Sequence, residues 1–217
     1  MTIANNYRGK FISVEGIEGV GKSTYMPVIA DYLQQQQIKV VVTREPGGTV
    51  FADKIRALLL DNHQEVIHAD TELLLMFAAR AQHIAEVIKP ALMAGQWVVS
   101  DRFSDASYAY QGAGRGINKQ RIQALEHWVQ GSLRPDMTLL FDAPIDVALQ
   151  RMQQRGKLDR IESEGKDFFQ RIRDAYLAMS QIEPERFFVL DTRQSINNIK
   201  QQLIKLLQNY LQKNSQR

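Results

Sequence analysis

Cysteine is absent from the 217 residues. That removes disulfides, thiol redox motifs, zinc fingers and cysteine nucleophiles from consideration. Long apolar runs are missing too. The most apolar stretch, Leu73-Leu-Leu-Met-Phe-Ala-Ala79, falls far short of the ~20 residues a membrane span requires. The first residues, Met1-Thr-Ile-Ala-Asn-Asn-Tyr-Arg-Gly-Lys10, hold no apolar signal core. Neither charge dominates: 27 Lys and Arg against 24 Asp and Glu leave +3, without the basic block expected of a dedicated nucleic-acid binder. Histidines are few and scattered. His63, His68, His83 and His127 fit surface or satisfied core positions better than a metal site. Internal repeats, Pro/Ser-rich linkers and composition breaks are lacking as well. The expectation is a soluble, cytoplasmic protein without membrane or nucleic-acid partners, with residues 1–217 forming one domain.

What is present is ordinary globular material. The hydrophobic share of 44% and charged share of 24% exclude disordered and low-complexity classes. A chain of this length buries roughly 70% of its unfolded surface and needs no disulfide or metal to hold a core. Short apolar runs alternate with amphipathic ones. Lys10–Glu15, Ile38–Thr43, Gln96–Asp101, Met137–Asp142 and Arg186–Asp191 have strand character, each with a polar or glycine stop. Their near-continuous apolar character suits strands covered on both faces. Helical patterns lie between them, over residues 22–36, 50–60, 71–93 (interrupted late by Pro90), 119–129, 145–155, 167–179 and from Ile196 onward. This alternation predicts an α/β domain, a five-stranded parallel sheet with helices on both faces. The charged stretch Gln154–Lys166 separates two helical patterns and has the look of a mobile cover, or lid, of about residues 151–166.

Gly16-Ile-Glu-Gly-Val-Gly-Lys-Ser23 fits G-x-x-x-x-G-K-[ST]. Gly16, Gly19 and Gly21 let the backbone turn and bring N–H groups, those of Ile17, Glu18 and Val20 among them, onto phosphate oxygens. Lys22, expected on a solvent-facing loop, reaches the β- and γ-phosphates, and Ser23 offers a hydroxyl to magnesium. The helix that follows adds its positive N-terminal end. The motif follows a predicted strand and opens a predicted helix, as the mechanism demands. The chain is therefore expected to bind a nucleoside triphosphate. Kinase, switch GTPase, motor ATPase and ligase remain open on this motif alone. Asn118-Lys119 is followed by Gln-Arg, so the guanine-reading Asn-Lys-x-Asp pattern is not met there, and a motor needs more chain. The size favours a small phosphotransferase.

Arg44 and Arg102 follow predicted strands two and three, whose carboxyl ends face the ligand crevice of such a sheet. A guanidinium fork suits bidentate phosphate binding. Arg56, on a helix face, fits either a ligand contact or a solvated charge. Phe77 and Arg80 lie three apart on one helix and share a face. Together they suit a planar base, although an aromatic in an apolar helix is more often core.

The segments Phe11–Ser23, Thr43-Arg-Glu-Pro-Gly-Gly-Thr49, Met76-Phe-Ala-Ala-Arg80, Ser100-Asp-Arg102 and Tyr110-Gln-Gly112 resemble those of the bacterial thymidylate kinases, in order, from about residue 10 to at least residue 191. The resemblance implies a P-loop kinase fold that converts Mg-ATP and dTMP to ADP and dTDP, usually as a homodimer through apolar helices. It implies that Phe77 stacks on thymine and that Arg80 donates to a ring carbonyl. Ser107 falls at the base edge and Tyr110 against the sugar, where its ring disfavours a 2′-hydroxyl. Arg102 and Arg56 would hold the acceptor phosphate. Glu18 would sit near the sugar and acceptor, and Asp101 would help order Mg2+ with Ser23. The family splits by the source of its catalytic arginine. The phosphate loop here has none, so the lid branch is implied, with Arg155 as the finger and Arg151 and Arg160 in support on the ATP phosphates. Two other readings stay open: a small P-loop kinase for another nucleotide or a deoxynucleoside, and a non-catalytic nucleotide-binding switch.

Overall fold

Five short apolar runs form five parallel strands: β1 (Phe11–Glu15), β2 (Val40–Arg44), β3 (Trp97–Asp101), β4 (Met137–Asp142) and β5 (Phe187–Asp191). In the computed structural model, residues 7–215 are described, apart from 63 and 157. His63, Lys157 of the predicted lid and the first six residues thus lie outside the described residues. The sheet order is β2-β3-β1-β4-β5. In register, Ser13 of β1 stands opposite Ser100 of β3 and Thr138 of β4. Strand alternation sorts the core into two faces. Ile12, Val14 and Val99 pack with the large cluster that includes Ile29, Leu33, Phe169 and Leu203. Phe11 and Val98 pack oppositely with Ile84, Ile88, Leu92 and Phe103.

All of β1 is buried, as expected of a central parallel strand. The edges depart from the expectation of cover on both faces. Val42 of β2 is 50% exposed and Val189 of β5 47%. An edge strand has a neighbour on one side only, and these two present a flank to water.

The helices are α1 (Lys22–Gln35), α2 (Val50–Leu60), α3 (Ala69–His83), α4 (Lys89–Met93), α5 (Ser104–Ser107), α6 (Lys119–Gln130), α7 (Ile145–Gln154), α8 (Lys166–Ile182) and α9 (Ile196–Ser215). Thr49 caps α2 by accepting from the Ala52 N–H at 3.0 Å. The expected long helix over 71–93 breaks earlier than Pro90. A π-helical turn, Ile84–Ile88, separates α3 from α4, and Pro90 sits in the first turn of α4, a position that tolerates it. A second π-helical stretch, Tyr108–Gly114, continues α5. Among the described residues, no helix is long and apolar enough to cross a membrane.

Candidate active site

The carboxyl ends of β1, β2 and β3 open into one cavity of about 420 Å3. The phosphate loop forms one end of it, with Glu18, Gly19 and Gly21–Thr24 in the wall. Gly19 has φ +77, and a Cβ there would stand 2.1 Å from the Ala148 carbonyl oxygen, so only glycine fits this turn. Ile17 and Val20 turn inward and pack in the core, and neither they nor Gly16 line the cavity. Their expected part in phosphate binding is through backbone N–H groups, and the inward side chains of Ile17 and Val20 anchor the loop that presents them. Lys22 also differs from the expected solvent-facing lysine. It is only 9% exposed, and its ammonium donates to the carbonyls of Gly16 (2.9 Å) and Ile17 (3.0 Å). Burial, and then the nearby Arg102 charge, pull it down to about 8.

Arg102 occupies the centre. It follows β3 with φ +72, a left-handed conformation that an arginine adopts only when held. Two backbone contacts hold it: its N–H donates to Val14 O at 3.0 Å, and its carbonyl accepts from the Ser100 hydroxyl at 2.7 Å. The guanidinium donates to Glu18 Oε1 (2.6 Å), Gly16 O (2.9 Å) and Tyr176 Oη (3.3 Å), and lies 4.6 Å from the Tyr110 ring centre. The Tyr110 hydroxyl donates to Glu18 Oε2 at 2.6 Å. Burial would raise Glu18, but Arg102 and then Lys22 outweigh it and hold the carboxyl below its usual range. Beneath them Glu15 is fully buried, accepting from Phe103 N–H (2.8 Å) and Tyr176 O–H (2.7 Å). Burial, with the Asp105 charge adding to it, pushes Glu15 up to about 8.

Asp101 and Ser23 both line the cavity. Among the described residues, no donor reaches the buried Oδ1 of Asp101. An orphaned carboxylate oxygen and a hydroxyl lining the same cavity are hard-oxygen donors of the kind that suits Mg2+. Elsewhere among the described residues, no three His, Asp or Glu side chains gather as a metal site.

At the other end, Arg80 and Ser107 line the cavity, with Arg80 Nη1 donating to Ser107 Oγ at 3.1 Å. Phe77 does not line it. Its ring is 2% exposed and packs with Leu73, Ile117 and Ile122. The residue that does is Met76. The reason is helical geometry: Met76 and Arg80 are four apart and project together, whereas Phe77 is rotated by about 100° from Met76. The Arg80 guanidinium lies 4.6 Å from the Phe77 ring centre, so Phe77 stacks on Arg80 instead of facing the cavity.

The predicted arginines divide. Arg56 lines the cavity and donates to Pro46 O at 2.8 Å. Arg151 and Arg155 line it too, the first donating to Thr192 O at 3.0 Å and the second paired with Glu162. Arg44 turns away to Asp53. Arg160 is the clearest departure. It donates to Leu59 O (2.7 Å) and to buried Glu72 of α3 (2.8 Å), and it does not line the cavity. Glu72 also receives Gln111 at 2.9 Å and an ion pair from Arg115 at 3.2 Å. Burial would raise this carboxyl, but Gln111, Arg115 and Arg160 hold it below its usual range. A buried acid with no neutralising partner in its own helix was the attraction, and Arg160 answers it. The cavity residues not anticipated from sequence include Glu45, Met76, Gln111, Asp159 and Glu162. Glu45, Met76 and Gln111 lay inside noted motifs, and Asp159 and Glu162 inside the charged lid stretch, but none of them was singled out.

Comparison with known proteins agrees with this geometry. Residues 14–203 match the family model described as thymidylate kinase. The chain is 53% identical over 205 residues to the thymidylate kinase of Pseudomonas fluorescens (strain Pf-5), covering 94% of this chain and 98% of that protein. It is 53% identical over 203 residues to that of Pseudomonas putida (strain W619), with 94% and 98% covered. A crystal structure of thymidylate kinase from Ehrlichia chaffeensis superposes with a TM-score of 0.74 at 34% identity, covering 92% of this chain and 98% of that one. By sequence and by fold, the chain belongs to the thymidylate kinase family.

Proposed function

We propose that this chain, acting as one kinase domain, transfers the γ-phosphoryl group of ATP to dTMP, giving ADP and dTDP. The observation that carries the reading is one cavity with a phosphate loop at one end, Arg80 at the other and Arg102 between them. An oxygen of the acceptor phosphate attacks the γ-phosphorus as the bond to the β–γ bridging oxygen breaks. A phosphate monoester has its second pKa near ~6, so it is largely dianionic at neutral pH and needs no general base. The remaining obstacle is repulsion between two polyanions. Lys22 and Arg155 offset it on the donor side, with Arg151 beside them. Arg102 and Arg56 do so on the acceptor side. Ser23 and Asp101 would hold Mg2+, which supplies charge neutralisation to the phosphates. The segment around Arg155–Glu162 excludes water, which would otherwise hydrolyse ATP.

In the acceptor pocket Arg80 gives an N–H to a thymine carbonyl, and Met76, in place of Phe77, lays its thioether on the ring. Ser107 serves the base edge. Tyr110 and Glu18 border the sugar. The exposed apolar side chains Phe51 of α2 and Leu74 of α3 support a homodimer through these helices. A supply of ATP and nucleotide precursors supports a cytoplasmic location.

The test is ADP release with dTMP, dUMP, dCMP and ribothymidine monophosphate. One missing methyl lowers kcat/KM for dUMP by roughly 10–200-fold. Arg80 has only donors, and cytosine presents an amino donor where thymine presents a carbonyl, so dCMP falls well below dUMP. Absence of ADP release with every monophosphate would remove the kinase reading. Equal use of dCMP and dUMP would remove the base pocket.

A further inference from the structure

Arg80 is held by a chain of buried polar groups that begins at a histidine the phosphoryl-transfer chemistry does not use. His83 is fully buried, one turn after Arg80 on α3. Its Nδ1 lies 3.0 Å from Glu45 Oε1, and its Nε2 lies 2.7 Å from Thr43 Oγ1. The other Glu45 oxygen, Oε2, accepts from Arg80 Nε at 2.6 Å. A carboxylate paired with a guanidinium only accepts, so Nδ1 must carry the hydrogen given to Glu45. With Nδ1 as the donor, Nε2 is free to accept, and the Thr43 hydroxyl is the donor that meets it. The tautomer is thereby fixed from both sides: Thr43 O–H to Nε2, Nδ1–H to Glu45, Arg80 Nε–H to Glu45.

The fork of Arg80 is fixed at its other end as well. Nη1 donates to Ser107 Oγ and Nη2 to Phe103 O, each at 3.1 Å. Three of the five guanidinium N–H groups are then committed, which leaves one on each terminal nitrogen for a ligand. Arg80 and Glu45 both line the cavity, and His83 does not. If the Nδ1 donor is lost, one oxygen of a carboxylate only 4% exposed loses its partner. Glu45 then turns to find another donor, and the guanidinium that it braces turns with it.

A second observation points the same way. Gly48 has φ +86, and a Cβ there would stand 2.6 Å from His83 Cδ2, His83 Nε2 and Thr43 Oγ1. The segment Arg44-Glu-Pro-Gly-Gly48 thus contributes both the carboxylate that His83 orients and the space that its ring fills.

We infer that His83 is a positioning residue for acceptor choice: by donating through Nδ1 to Glu45, it aims the free N–H groups of Arg80 at a base carbonyl and so favours dTMP over dCMP. This rests on the reading of Arg80 given above. It acts on binding of the base, so its signature is KM and base preference, with kcat changed less.

The experiment compares His83→Asn with His83→Gln. The Asn amide nitrogen takes the place of Nδ1, and the Gln amide nitrogen takes the place of Nε2. Values of kcat and KM for dTMP and dCMP are measured on the unmodified protein, on both variants, on Thr43→Val and on Arg80→Ala, with thermal melts for each. His83→Asn keeps the preference for dTMP within a few-fold. His83→Gln, which loses the donor to Glu45, raises KM for dTMP by roughly 10–100-fold and narrows the preference by a similar factor. Thr43→Val, which leaves buried Nε2 without its donor and so loosens the ring that orients Glu45, narrows it in the same direction, and it decides the matter if His83→Gln does not fold. Equal preferences in His83→Asn and His83→Gln, or an unchanged preference in Thr43→Val, would overturn the inference. Arg80→Ala separates the two levels. If it leaves base preference intact, the reading of Arg80 fails; if it narrows preference while the His83 and Thr43 variants do not, the role of His83 alone fails.

Discussion

Glu15 offers a sharp test of how the floor of the cavity is built. Its side chain is fully buried, accepting from Phe103 N–H and Tyr176 O–H. Burial raises its pKa from 4.5 to about 8. The native state therefore holds this proton between those two values, whereas the unfolded chain releases it. With more protons bound when folded, stability falls as pH rises through the window. At ~1.4 kcal/mol per pKa unit the whole span is at most ~5 kcal/mol. Between pH 5.5 and 8.5 the loss from this one group is about 3 kcal/mol. Once protonated, Glu15 turns the Tyr176 contact round and gives its Oε2 hydrogen to Tyr176 Oη; Glu15→Gln keeps that arrangement, with Oε1 for Phe103 N–H and an amide donor for Tyr176 Oη. It cannot ionise. Urea unfolding of both proteins at the two pH values compares them directly, because titrations not linked to Glu15 are common to the pair and cancel. The variant is expected to lie near the unmodified protein at pH 5.5 and to gain about 3 kcal/mol on it at pH 8.5. A gap between the two proteins that stays constant over this range would show that Glu15 does not carry a proton in the native state, and the argument from burial would be wrong.

Arg155→Ala is expected to lower kcat by roughly 10³–10⁵-fold while KM for dTMP scarcely moves, because a finger acts in the transition state; raised KM with unchanged kcat would make Arg155 only a binding residue. Arg160→Ala is expected to behave in the opposite way. It removes a charge-assisted contact to buried Glu72 and so costs ~1–3 kcal/mol in urea melts, with kcat within a few-fold. A thousandfold loss of kcat at unchanged stability would place Arg160 on the phosphates instead.

The strands were legible because each is a short apolar run with a hard stop, and β4 (Met137–Asp142) has the expected bounds. The edges were less so: β2 begins at Val40, and its half-open face depends on which strand has no outer neighbour, which no local pattern records. The stretch Ser104–Gly114 carried no helical signal. Its Ser, Gly and small residues lack a 3.6-residue apolar stripe, and a π-helical turn does not follow that period at all. This hid Gln111. Phe77 drew attention because an aromatic three residues from an arginine suggests a base pocket. The register that favours Met76 is set by packing of α3 against Ile122 of α6, a contact 45 residues away in sequence. Arg160 stood in a charged, loop-like segment, and charge alone does not say whether a guanidinium meets phosphate or a buried acid. The phosphate loop was legible because its chemistry fixes residue types at fixed spacing, and Arg102 because a strand end locates it.

The cations around the cavity are already matched to oxygens of the protein itself. Lys22 holds two loop carbonyls, Arg102 holds Glu18, Arg56 the Pro46 carbonyl, Arg151 the Thr192 carbonyl and Arg155 the Glu162 carboxylate. Five like charges crowded without such acceptors would repel one another strongly in a partly dry cleft. An arriving phosphate therefore swaps places with a resident oxygen. Affinity is the difference between two comparable acceptors, so tightness is tempered at every cation. The same resident groups are at hand when a product leaves, and each carbonyl or carboxylate that recaptures its cation eases departure. A site assembled in this way trades grip for turnover.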